Sequence, residues 1–499
     1  MAINSIGSAT SPIIRSLIDM RAQFDDLQRQ LSTGQKSATY AGLGPNRGLA
    51  VDLNTQLSAI AGFGSTIDTV TTRINLAQNA LSAISDIGNS IRSSVVQGSS
   101  SAGLAGANIT QVNAQSSVQQ LLALLNTQGA NGYLFSGRAT DQSAVDTYDH
   151  IINGDGPRAG LKQLISERGQ ADLGADGLGR LLIGAPTATS VSLSEDAVSP
   201  FGFKLASVTS TLANATITGP SGAPASLSVD FSAAPNDGGS LTVRLNMPDG
   251  TSENLTLTAT SQSPPGPNQF SIGATPAATA ANLKSALTAA LGTLAGGALK
   301  AASAVQASNE FFDADLANPP QRVDGPPFDT ATSLIAGTSA NTVIWYTGEA
   351  GAGSARDTAT ARIDSSLVVS YGTRANEQGV RSVVQNVATL AAVNTSSDPN
   401  AADLTAALYQ RLAVNLAGAP GTQSVNDIAA DLAGVQTSMK AAKATHQQTS
   451  ATLTDFLQQI QGVSNEQVGA ELLALQTRMQ AALQTTAMLS QISLVNYLK

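Results

Sequence analysis

Both ends of the chain carry a heptad seam, and no other feature restricts its folding so tightly. Ile13, Leu17, Met20, Phe24, Leu27 and Leu31 recur at alternating steps of four and three. Val468, Leu472, Leu475, Met479, Ala482, Thr486 and Leu489 do the same near the other end. A stripe with that period runs along one side of a helix and is buried only against another helix. First and last helices that serve as partners bring the termini together. After Glu471 only Arg478 and Lys499 are charged, and Gln, Ser, Thr and Ala fill the rest of the tail. A helix lying in water ordinarily carries many more charges. The tail is therefore expected to be enclosed by neighbours. Ile492, Leu494, Tyr497 and Leu498 add an apolar cluster at its end.

The scarcity of charge extends to the whole chain. Asp, Glu, Lys and Arg make up 12% of it, roughly half the usual share. With 42% apolar residues the chain still has enough to build cores, so it is not a disordered sequence. Its 499 residues leave room for roughly two to four domains. A net charge of −9 with no basic stripe argues against a nucleic-acid partner. The absence of cysteine excludes disulfides, thiol catalysis and thiolate metal sites. No run reaches the roughly 18 apolar residues of a membrane helix. Residues Met1 to Thr10 lack a basic segment, and Asp19, Arg21 and Asp25 interrupt any apolar run beyond Thr10. No secretory signal peptide is expected.

Between the ends the layout is palindromic. The first helix stops at Thr33-Gly34, and the stretch to Gly48 reads as a connector. A long helical run covers 49–97, a Ser/Gly break occupies 98–106, and a third helix covers 108–127. Tyr133-Leu134-Phe135 is an apolar patch between turn residues, read as core sealing the end of the helical domain. From about 172 the pattern changes to strands by alternation: Leu227, Val229, Phe231; Leu241, Val243, Leu245, Met247; Leu255, Leu257; Phe270, Ile272. Asp249-Gly250 is the hairpin turn between two of them, and a helix covers 277–292. Helical periodicity returns at 376–393 and 402–417, then from Val425 to Ile460. The last run has a seam read as Met439, Ala442, His446, Thr449, Leu453, Phe456 and Ile460. Its phase slips at Gly462–Asn465, where the tail helix begins.

The expected fold is mainly α: paired terminal helices, a long-helix rod and an inserted α+β, β-rich outer domain. The division is 1–33 with 465–499 as a terminal coiled-coil core, and 34–48 with 461–467 as connectors. Residues 49–172 with 360–460 form the rod, and 173–359 form the insert. Because the insert lies between elements that pair without it, deleting about 180–355 is expected to leave the rod folded.

No catalytic, cofactor-binding or metal site is expected. His446 occupies a seam position, and His150 beside Asp149 makes neither a triad nor a metal site. Gly348-Glu349-Ala350-Gly351-Ala352-Gly353 lacks the Lys-Ser/Thr of a phosphate loop and reads as a flexible connector.

Several words in this layout resemble the bacterial flagellin family, and most closely its hook-associated branch. They are Tyr133-Leu134-Phe135-Ser136-Gly137, Pro200-Phe201-Gly202-Phe203-Lys204-Leu205 after Glu195-Asp196, and Val369-Ser370-Tyr371-Gly372 with Arg374-Ala375-Asn376-Glu377. The fourth is the ending, Ser490 to Leu498. The resemblance covers about 1–170 and 360–499. It implies an extracellular structural subunit, exported by the flagellar type III route without a cleaved signal, that joins hook-associated proteins to the filament. The alternatives are a filament subunit and, further off, a secreted adhesin using the insert. Implied partners are further copies of the chain, a neighbouring hook-associated protein, flagellin and a cytoplasmic export chaperone, with no nucleic acid and no membrane. The two terminal seams would be the assembly interface.

Overall fold

The computed structural model describes residues 4–100, 104–130, 132–315, 317–395 and 398–497. Its helices are α1 (Asn4–Thr33), α2 (Arg47–Ser100), α3 (Leu104–Leu125), α4 (Tyr148–Asn153), α5 (Leu161–Leu173), α6 (Pro276–Leu294), α7 (Lys300–Phe312), α8 (Gln378–Ala392), α9 (Ala401–Asn415), α10 (Val425–Gln461) and α11 (Asn465–Tyr497). Two short strands, β1 (Gln128–Gly129) and β2 (Gly132–Tyr133), come after α3. Eight lie between α5 and α6: β3 (Leu181–Gly184), β4 (Ser190–Glu195), β5 (Lys204–Ser210), β6 (Ala215–Ser221), β7 (Ser226–Phe231), β8 (Ser240–Asn246), β9 (Ser252–Thr260) and β10 (Gln269–Ser271). After α7 come β11 (Gln321–Val323), β12 (Leu334–Ala336), β13 (Thr360–Arg362) and β14 (Val368–Ser370). The chain is thus mainly helical with a β-rich middle. It divides into two compact units: a terminal unit of residues 1–69, 362–368 and 437–499, and a central unit of 70–361 and 369–436.

In the terminal unit α1 lies against α11. Glycine ends α1 because Gly34 has φ +69°, a left-handed conformation that a Cβ disfavours. The two connectors then hold one another. Lys36 donates its N–H to the Gln461 carbonyl at 2.7 Å, and Val463 donates to the Gly34 carbonyl at 3.1 Å. A new helix starts directly, with the Gln467 N–H on Ser464 Oγ at 3.3 Å. That restart is the physical cause of the phase slip between α10 and α11.

The seam of α10 differs from its sequence reading. Thr449 and Phe456 face outward, Phe456 with 51% of its surface exposed. The inward row passes through His446, Ser450, Leu453, Leu457 and Ile460 instead. The two rows share His446, Leu453 and Ile460 and differ only between them, where the steps run four then three instead of three then four. Apolar character alone drew Phe456 into the seam.

In the central unit two four-stranded sheets enclose one core. Their orders are β3-β4-β7-β6 and β10-β9-β8-β5, antiparallel except for β10 beside β9. The alternation seen in sequence sets the faces: Val191, Leu193, Leu227, Val229, Phe231, Leu241, Val243, Leu245, Leu255 and Leu257 are buried, and serines and threonines point outward. Leu283, Leu287 and Leu291 of α6 complete that core. The Asp249-Gly250 turn joins β8 to β9, as expected, with Gly250 at φ +81°.

Helices α3, α5, α7, α8 and α9 pack together beside the sheets. Helix α2 continues past Gly98 to Ser100, and α3 begins at Leu104, so α2 ends and α3 starts within the 98–106 stretch but not at Gly98 itself. Gly98 lies under a ring: a Cβ would meet Tyr409 Cε2 at 2.5 Å. The glycine is a close-packing residue, not a helix end. Trp345 is fully buried, edge-on to Phe312, and gives its indole N–H to the Phe312 carbonyl at 2.9 Å.

The middle of the chain is not separable from these helices. Helix α7 packs on α5, α8 and α9. The buried Arg411 of α9 pairs with the buried Asp249 at 2.8 Å. Deleting about 180–355 would strip α7 from α5, α8 and α9 and remove Asp249, the buried partner of Arg411. We predict that this deletion abolishes cooperative thermal unfolding, measured by calorimetry. A sharp transition in the variant would contradict it. For the α10 seam, Leu453→Ala should cost about 2–4 kcal/mol, and Phe456→Ala less than about 1 kcal/mol. Urea unfolding followed by circular dichroism separates the two.

Candidate assembly surface

The terminal seams form a graded surface. On α1 the side chains of Leu17, Met20, Phe24 and Leu27 are half-buried and Leu31 is exposed. On α11 Val468 and Leu475 are buried, Leu472, Met479, Ala482 and Thr486 half-buried, and Leu489 exposed. Nearly every other position on α11 from Glu471 to Leu489 is exposed, so the seam is the side turned towards α1. Ile13, Ile492, Leu494 and Tyr497 lie on the two helices with side chains outside the described set, and Leu498 lies outside the described residues.

A second set of apolar side chains is not used within the chain. Ile14 and Ile18 on α1, and Leu473, Leu483 and Met488 on α11, lie off the seam, with Ile18 61% and Leu473 66% exposed. Sequence reasoning missed these residues because it followed the seam. The signal was present as a neighbouring row, Ile14 and Ile18 beside Ile13 and Leu17. On α11 few charges surround them, since Arg478 is the one charged residue between Leu472 and Tyr497, whereas Ile14 and Ile18 on α1 are flanked by Arg15 and Asp19. Scattered exposed leucines are ordinary, but several on two paired helices, one of them nearly without charge after Glu471, favour burial against protein.

The Tyr133–Gly137 word lies in the central unit and is core rather than surface. Leu134, Phe135 and Ser136 are buried and Tyr133 is half-buried. The turn is laced to the residues around Arg374. Ala375 N–H donates to the Phe135 carbonyl at 2.8 Å, and Thr373 Oγ1 donates to the Leu134 carbonyl at 2.6 Å. Glu349 N–H donates to the Ser136 carbonyl at 2.9 Å. Two of the resembling words, far apart in sequence, therefore touch. The Gly348–Gly353 loop is pinned as well, rather than free. Arg374 donates to the carbonyls of Gly351 at 2.6 Å and Gly353 at 2.7 Å, and Arg138 pairs with Glu349 at 3.1 Å.

The histidines are accounted for by local partners. His150 Nδ1 lies 2.9 Å from Asp146 Oδ1, one turn away. His446 Nε2 lies 3.0 Å from Asp364 Oδ2. Among the described residues no group of three or more His, Cys, Asp or Glu side chains is placed to hold a metal ion. No described helix is long and apolar enough to cross a membrane.

Residues 8–140 match the family model described as the bacterial flagellin N-terminal helical region. That span includes most of α1, all of α2 and α3, and the Tyr133–Gly137 turn. The match supports the bacterial flagellin family and a structural subunit of filament type. Flagellins are non-enzymatic proteins that self-assemble into an extracellular filament. No curated protein matches the chain.

The laced turn generates a prediction. Gly137 has φ +67°, and a Cβ there would meet Glu349 Oε2 at 2.7 Å and its Cβ at 2.9 Å. Gly137→Ala therefore combines backbone strain with displacement of Glu349 from Arg138. We expect a loss of about 2 kcal/mol, seen as an earlier urea midpoint of Trp345 fluorescence. A midpoint equal to that of the parent would contradict the reading.

Proposed function

We propose that this protein is a structural subunit of the bacterial flagellum that joins a hook-associated neighbour to the flagellin filament. In this reading the terminal helices pair as a coiled-coil core, with 34–48 and 461–467 as connectors, the long helices as a rod and 173–359 facing outward. The observation that carries it is the set of exposed apolar side chains outside the seam, Ile14, Ile18, Leu473, Leu483 and Met488, with α11 nearly without charge after Glu471. Burying one such side chain against another subunit contributes roughly 1.5–3 kcal/mol. Several such side chains buried together offset the freedom lost when subunits associate. The seam residues Ile13 to Leu31 and Val468 to Leu489, with Ile492, Leu494, Tyr497 and Leu498, form the inner part of the same interface. Export in an unfolded state through the flagellar type III route, with a chaperone holding the terminal segments, is supported by the family resemblance and the absence of cysteine.

The placement at the junction rests on the ending Ser490–Leu498, which resembles hook-associated proteins more than filament flagellins. The second reading, a filament subunit, is favoured by the match of 8–140 to flagellin itself. The two differ in how their ends repeat. A filament subunit stacks on itself without limit, because a heterologous interface that does not close generates a helix of subunits. A junction subunit meets unlike partners above and below.

Leu473→Asp with Leu483→Asp should leave the helical content of the purified chain within error of the parent and abolish its incorporation into flagella, scored by immunoblot of sheared filaments. Deleting the gene should leave hooks in place and shed flagellin into the medium. Micrometre-long filaments grown from this chain alone would overturn the junction reading in favour of the filament one. Normal incorporation of the double variant would remove the proposed interface.

A further inference from the structure

One cleft of the central unit has no part in assembly through the terminal helices. Its volume is about 880 Å³, within the range of roughly 300–1,000 Å³ found for clefts that hold ligands. Its walls come from α2, the β8–β9 turn, α7, α8, α9 and the loop 416–424, all of them parts of the central unit.

The floor of the cleft is fixed and its cation is already spent. Arg411 is 6% exposed and donates its Nε–H to Asp249 at 2.8 Å. Its Nη2 donates to Thr251 Oγ1 at 3.2 Å, and its Nη1 to the Ala407 carbonyl at 3.2 Å. Glu253, the remaining charged residue of the lining, stands apart. Its carboxylate is 3.9 Å from Arg411 Nη2, beyond hydrogen-bond reach, and its side chain is 39% exposed. With Arg411 offset by Asp249, Glu253 leaves the cleft one negative charge in excess.

Amide and aliphatic side chains make up much of the remaining wall. Asn89 of α2 and Gln410 of α9 are exposed and Asn415 is half-buried. Among the described residues none of these three side chains has a hydrogen-bond partner within the chain. Val383 and Val414 add apolar surface. Among the described residues the lining contains no aromatic ring and no cation besides Arg411. A phosphate or carboxylate entering here finds no free cation and meets Glu253 instead. A planar ring finds no aromatic face to lie on. An amide side chain, by contrast, offers a donor and an acceptor together, the complement of the pair that each peptide unit carries.

We propose that this cleft holds an extended segment of a partner protein, uncharged along its length apart from one lysine or arginine that meets Glu253. Charge complementarity selects a basic segment over an acidic one, and the net charge of −9 on the chain acts in the same sense. On binding, Asn89, Gln410 and Asn415 exchange water for backbone N–H and C=O groups of the segment. Val383 and Val414 cover its small apolar side chains. Hydrogen bonds exchanged in this way add little individually, so the charge at Glu253 decides which segment is held.

The chain has no cysteine, so Ala417→Cys, exposed on the loop at the rim, carries a single environment-sensitive dye on the full chain. The probes are the capped peptide Gly-Ser-Gln-Lys-Ser-Gly, the same peptide with Glu in place of Lys, and maltohexaose. The Lys peptide should give a saturable fluorescence change, with the Glu peptide binding about tenfold more weakly. Glu253→Gln, at a partly exposed side chain, should keep the circular dichroism of the parent and bring the two peptides within about twofold of each other. No saturable change with the Lys peptide up to millimolar concentration would overturn the proposal. So would saturation by maltohexaose in place of the peptides, or a preference for the Lys peptide that survives Glu253→Gln.

Discussion

The contact on which the rest of this protein depends is the burial of one helical seam by another in a chain that carries little charge to keep it soluble. A charge-poor helix is poorly solvated alone, and an isolated helix of that kind is marginal in water. Pairing α1 with α11 removes Val468 and Leu475 from water and half-buries Leu17, Met20, Phe24, Leu27, Leu472, Met479, Ala482 and Thr486. It leaves Ile18, Leu473 and Leu483 outside. The same two helices are therefore satisfied on one side and unsatisfied on another, which is the physical basis for reading them as an assembly element. The mutual hold of Gly34 and Lys36 with Gln461 and Val463 sets where the pairing starts.

The central unit obeys a different constraint. Its outward-facing strand residues are mostly Ser and Thr, and several of its charged groups lie inside as pairs. Arg411 with Asp249, Arg168 with Asp172, and Arg322 with Glu167 are all largely buried. Buried pairs of this kind add little net stability but make the loss of one partner strongly destabilising. They also fix which elements belong together: the β8–β9 turn to α9, and α5 to the segment that carries Arg322. This is why the middle of the chain cannot be treated as a detachable ornament on a helical rod.

Much of this was legible in the sequence where a period or a turn signal was strong. The strands from Leu227 to Leu257 and the Asp249-Gly250 turn were readable because one face is buried and the other hydroxylic. The restart at Gly462–Asn465 was readable because the apolar phase slips there. Three features were not. Phe456 looked like seam because it and its neighbour Leu457 are both apolar, and only the fold shows that Leu457 is the one turned inward. Gly98 looked like a break because only the fold places Tyr409 above it. The pairing of α7 with α8 and α9 was hidden because alanines such as Ala301, Ala302 and Ala304 give no periodic signal yet permit close approach. For the candidate surface, the seam was visible, and the row beside it became visible only once the seam had been assigned to α1 and α11.

On the proposed function, the off-seam apolar residues of the terminal helices are covered by other subunits in the assembled flagellum. The chain contains no cysteine, so a single thiol at Leu483→Cys reports on that surface without background. The measurement is the rate of maleimide labelling of this thiol in the purified monomer and in intact flagella. Fast labelling of the monomer with strong protection in flagella is the predicted result. Equal labelling in both would mean that the surface stays in water, and would contradict the assembly role.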